Sequence, residues 1–159
     1  MEANTPEFFA ELYAKGSYDE LIEKGELFLE KSDSADVRQY LVLAYQTKGD
    51  FLKALKHSQL IAEQSTDEID WFSYAVNAIK TKQIDLGLEA FEKALRLNKE
   101  HAPQKEKADV WRSEAWMCYR IVGALFVEGA YEKAFQWLTV LKNVYAQYKI
   151  TDTTFLIIR

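Results

Sequence analysis

The side chains able to do chemistry are few in this 159-residue sequence, and their spacing joins none of them into a reactive set. Its two histidines, His57 and His101, lie far apart, and neither belongs to a metal-binding pair at helical spacing, so both read as structural or solvated. The single cysteine, Cys118, sits among Trp116, Met117 and Tyr119 and reads as a buried, inert thiol. Alone it can form neither an internal disulfide nor a thiolate zinc cluster. Glu20 with Glu23 and Glu26 with Glu30 are carboxylates at helical spacing, but Lys24 and Lys31 beside them mark a solvated face, not an acid–base pair. Ser17, Ser32, Ser34 and Ser65 fall at helix boundaries, where capping accounts for them. No glycine-rich phosphate loop follows a strand. The expectation is a non-catalytic protein with no metal and no cofactor.

Composition narrows the partners. The formal net charge is -5, and the lysines are scattered among more numerous carboxylates. A polyanion binder needs a concentrated basic surface from which counterions are released, so nucleic acid is excluded as the expected partner. Residues Met1 to Pro6 show no basic region leading into an apolar stretch, so no secretory signal is expected. The strongest apolar run, Ile121 to Val127, is too short to span a bilayer. A cytoplasmic protein without membrane insertion is the expectation.

The elements that carry these residues repeat. Four segments align: Lys15-Gly16-Ser17-Tyr18, Lys48-Gly49-Asp50-Phe51, Thr81-Lys82-Gln83-Ile84 and Glu128-Gly129-Ala130-Tyr131. In three of them a glycine precedes a spacer and an aromatic, the pattern of a tight turn between helices in which glycine takes the left-handed conformation. Tyr18 to Phe51 and Phe51 to Ile84 are each about 33 residues. Apolar residues recur three and four apart on both sides of each turn, for example from Val37 to Tyr45 and from Ala54 to Ala62.

On these residues the chain resembles the tetratricopeptide repeat (TPR) family. Leu41, Tyr45, Gly49, Ala54 and Ile61 match the family pattern in a unit over about 35–67, and Trp71, Tyr74, Ala75, Phe91 and Ala94 match it over about 68–101. Phe8, Leu12, Gly16, Tyr18 and Phe28 match over about 2–34. Ile121, Leu125, Gly129, Tyr131, Ala134 and Leu141 match in a fourth unit, over about 103–148. No unit has the closing proline, and the third replaces the turn glycine with Lys82 and an alanine with Gly87. Phe9, Val42 and Val122 stand where the family prefers a small residue, which implies a wider spacing of the paired helices. The resemblance implies a single all-α domain, a right-handed superhelical solenoid of about four antiparallel helix pairs plus a C-terminal helical segment.

The fourth unit departs from the period, because Ile84 to Tyr131 is about 47 residues. With Pro103 in its first turn, a single helix of about 25 residues, near 38 Å, is expected up to Val127. Val110, Trp111, Ala115, Cys118, Ile121, Val122 and Leu125 form one apolar face of it. Trp116, Tyr119, Gly123 and Phe126 form a second, and something must cover it. Residues 150–159, ending Phe155-Leu156-Ile157-Ile158-Arg159, form an apolar tail that could begin a further helix at Thr151-Asp152, one that caps the stack as a fifth first-of-pair helix, folds back to cover the second face or meets a second copy of the chain.

The TPR resemblance also implies a concave wall built from the first helix of each pair. Its ligand-facing positions fall on Tyr13 in the first unit, on Gln39 and Leu43 in the second, on Phe72, Val76 and Ile79 (with Lys80) in the third, and on Trp116, Tyr119 and Phe126 (with Gly123 and Val127) in the fourth. The basic clamp by which one TPR class grips a chaperone's C-terminal carboxylate is not matched, since Gln39, Leu43, Ser73 and Trp116 occupy its places and only Arg120 fits. The apolar wall suits an amphipathic helix or extended apolar segment of another protein. The chain is similar to type III secretion chaperones in size, acidity and repeat content, although its first unit begins near residue 2, where they carry a further helical segment. The alternative is a structural subunit that self-assembles, or joins a larger complex, through the fourth-unit helix and the tail.

Overall fold

The computed structural model describes residues 5–104 and 107–148, with side chains for 5–104 and 113–147. Among these residues there are eight α-helices, one short 3-10 turn and no strand. The helices are α1 (Pro6–Ala14), α2 (Tyr18–Leu29), α3 (Ala35–Thr47), α4 (Phe51–Glu63), α5 (Glu68–Lys80), α6 (Ile84–Glu100), α7 (Lys107–Val127) and α8 (Tyr131–Tyr148). Several start where a short oxygen-bearing side chain accepts a backbone N–H that the first turn leaves unpaired. Ser34 accepts from Val37 at 3.3 Å, Asp50 from Lys53 at 3.3 Å and Asp67 from Ile69 at 2.8 Å. Ser17 also stands at a helix start, but its hydroxyl makes no capping bond.

One turn joins α1 to α2, α3 to α4, α5 to α6 and α7 to α8. In each, a left-handed residue stands two positions past the end of the first helix: φ is 73° at Gly16, 77° at Gly49, 64° at Lys82 and 78° at Gly129. The hydrogen bonds also repeat. Gly49 N–H donates to the Gln46 carbonyl at 3.0 Å and Asp50 N–H to the Tyr45 carbonyl at 2.9 Å; Lys82 and Gln83 do the same to Ile79 and Ala78, both at 2.9 Å. These bonds satisfy carbonyls that the helix end would otherwise strand. The residue that closes the first helix then opens the second, as the carbonyls of Ser17, Asp50, Gln83 and Ala130 accept from Leu21, Ala54, Gly87 and Ala134. Lys82 adopts the glycine conformation although it carries a Cβ, which costs roughly 1–2 kcal/mol.

The helices form two compact units, Met1–Ser65 and Thr66–Arg159. In the first, α2 and α3 both pack on α1, α3 packs on α2, and α4 on α3; in the second, α6 and α7 pack on α5, α7 on α6, and α8 on α7. Each unit is thus two helix hairpins, with the third helix seated against both members of the first pair. The first core centres on Phe9, Leu21, Val37, Leu41 and Val42, all fully buried. In the second, Phe91 meets Phe72 with ring centroids 6.4 Å apart and Trp137 at 4.8 Å. Large and small residues exchange places between repeats: buried Phe9 and Gly25 stand, two repeats earlier, where buried Ala75 and Phe91 stand in α5 and α6. A Cβ on Gly25 would come within 2.9 Å of Leu41, and one on Gly87 within 2.6 Å of Ile79 Cγ1 and 2.9 Å of the Ala75 carbonyl. These glycines let α2 and α6 close tightly on their neighbours, so the wider spacing expected beside large residues is not general.

The extra residues of the fourth unit are shared. α6 has 17 residues where α4 has 13, and α7 has 21 where α5 has 13. The single helix expected from Pro103 is corrected, because Pro103 lies in the 3-10 turn Ala102–Gln104 and α7 begins at Lys107. The apolar tail, 150–159, lies outside the described residues.

No side chain or backbone atom lies within 4 Å of a Cβ built on Gly49, so replacing it tests backbone strain alone. Gly49→Ala is expected to lower unfolding free energy by about 1–2 kcal/mol, and Lys82→Gly to raise it by about 1 kcal/mol. Urea unfolding followed by circular dichroism reads both; unchanged midpoints would show that the turns are not held at positive φ.

Candidate protein-binding groove

The titratable groups are engaged in joining helices. In the first unit, Glu26 Oε1 accepts from Tyr45 Oη at 2.7 Å and from His57 Nε2 at 2.8 Å. Arg38 Nη1 lies 3.3 Å from His57 Nδ1, while its Nε and Nη2 donate to Asp33. A guanidinium has only donors, so Nδ1 is placed as the acceptor and Nε2 presents a hydrogen to Glu26. Burial pushes the Glu26 pKa up, but the hydrogen bonds from Tyr45 and His57 outweigh it and leave the carboxyl below its ordinary value. Burial first, then the hydrogen bond to Glu26 and the Glu26 charge, raise the Tyr45 phenol above its ordinary value. The network ties α2, α3 and α4 together.

In the second unit His101 Nδ1 lies 2.8 Å from Glu68 Oε2, joining the C-terminal end of α6 to the first turn of α5. Glu68 sits in the first turn of its helix, where the dipole favours a carboxylate. The Cys118 thiol is fully buried, and burial, with the charge of Glu114 adding to it, pushes its pKa up to about 12. Among the described residues no group of three His, Cys, Asp or Glu side chains is placed to hold a metal. No helix among them is long and apolar enough to cross a membrane.

The open chemistry lies between α5 and α7. Ala115, Cys118, Ile121 and Leu125 recur three and four apart and bury one face of α7 completely. Among the described residues nothing covers the second apolar face: Tyr119 is 40% exposed, Phe126 58% and Val127 69%. Together with Val76 and Lys80 of α5, and Arg120, Val122, Gly123 and Ala124 of α7, they line a cavity of about 410 Å³. A Cβ on Gly123 would meet nothing within 4 Å, so the floor of the groove is bare helix backbone. Trp116 closes one end, half-buried, its ring 4.9 Å from that of Phe72 and with the Arg120 guanidinium 5.5 Å over it. At the other end Phe126 meets Tyr131 with centroids 5.2 Å apart.

No protein-family model and no curated protein sequence matches the chain. The groove is therefore read from its own residues. Of the positions named from the sequence, Val76, Lys80, Tyr119, Gly123, Phe126 and Val127 come together in it, and Trp116 stands beside it through Arg120. Phe72 and Ile79 lie outside its lining: both are buried, Phe72 between Phe91 and Trp116, and Ile79 beneath the bare backbone of Gly87. In the first unit Gln39 and Leu43 are half-buried on α3, and Tyr13 is half-buried against Tyr18 and Tyr40, 5.5 and 6.4 Å away. Val122 and Ala124 were not singled out as lining residues, because Val122 reads as part of the buried face and Ala124 is too small to signal either face.

Two outcomes follow from these environments. Cys118 is expected to resist a thiol-specific reagent at pH 8 in the native protein and to react fully in denaturant; rapid native labelling would contradict its burial. The low Glu26 pKa in the folded state makes its stabilisation complete above the ordinary carboxyl value of 4.5 and lost as pH falls through the folded value. Acid unfolding of Glu26→Gln should lack that part of the pH dependence, and a wild-type-like acid limb would contradict the network.

Proposed function

We propose that this protein is a non-catalytic interaction module, a TPR-like right-handed solenoid of helix pairs that binds an apolar or amphipathic segment of a partner protein in the groove between α5 and α7. The observation that carries this reading is the second apolar face of α7, where Tyr119, Phe126 and Val127 stand exposed on either side of a bare glycine. Contiguous exposed apolar surface of this kind marks interaction sites. Fully burying one such side chain contributes roughly 1.5–3 kcal/mol before the costs of association are subtracted. The cavity volume of about 410 Å³ also suits several inserted side chains. Gly123 adds a second argument. An exposed glycine inside a helix is destabilising by roughly 0.5–1 kcal/mol relative to alanine, and none of the described residues uses the space it leaves. A partner backbone approaching α7 would use it.

A specific observation supports the second reading, assembly through α7 and α8. The exposed aromatic surface continues from Phe126 to Tyr131 and Phe135, which are 54% and 64% exposed. In the first unit the corresponding pair, Tyr13 and Tyr18, is overlaid by Tyr40 of α3. Size-exclusion chromatography with light scattering across a concentration series separates the readings; a concentration-independent monomer removes self-assembly.

The groove is tested by selecting a displayed peptide library on the wild type and rescreening it on Gly123→Leu and Phe126→Ala. Both variants should fold, because neither side chain supports the core. The selected peptides are expected to lose about tenfold or more in affinity on each. Equal binding to both variants would remove the groove from the account.

A further inference from the structure

We draw no further inference here: the strongest candidate, the exposed aromatic patch that Phe126, Tyr131 and Phe135 form on α7 and α8, carries none because nothing among the described residues shows what covers it.

Discussion

A single backbone residue at positive φ governs each helix pair, and the rest of the structure follows from the short turn it permits. The residue that completes the hydrogen bonding of one helix end supplies the first carbonyl of the next helix, so no slack separates the two. Four copies of this turn give four hairpins of one geometry. What distinguishes the hairpins is the size of the side chains between them. Phe9 with Gly25 and Ala75 with Phe91 are two solutions to one filling problem, with the large residue on opposite helices. Close packing then fixes which faces are used up, and the groove is what α5 and α7 leave over.

The turns were legible in the sequence because their cause is local. A glycine followed two residues later by an aromatic recurs at one period, and the period alone located Lys82, which has no glycine to announce it. The buried stripe of α7 was legible for the same reason, since Ala115, Cys118, Ile121 and Leu125 declare a helical spacing. What the spacing did not reveal is how closely a neighbouring helix approaches. Ile79 occupies a wall position by register, but Gly87 lets α6 come down on it and seals it in. Phe72 is sealed by two other aromatics from distant parts of the chain. Pro103 was read as the start of α7 because proline suits a first turn, and a 3-10 turn accommodates it equally well.

The polar and apolar features divide their labour. Glu26, Tyr45, His57 and Arg38 spend their hydrogen-bonding capacity on one another across three helices, and Glu68 with His101 does so across two. Their chemistry is internal, and Cys118 is sealed with its thiol protonated. The groove has the opposite character. Its residues contribute little to the core, its glycine weakens the helix that bears it, and its two cations break with the charge of the whole chain. A feature that lowers the stability of the free protein, and that no described residue fills, supports the proposed external occupant.

Backbone amide resonances of the protein, followed by NMR during titration with a peptide selected on the wild type, test the central claim most directly. The account predicts that the perturbed amides converge on Val76, Lys80, Tyr119, Gly123 and Phe126, with Gly123 among the largest because its backbone forms the floor. Perturbations confined to other surfaces, such as the α6–α8 face around Trp137, would contradict it.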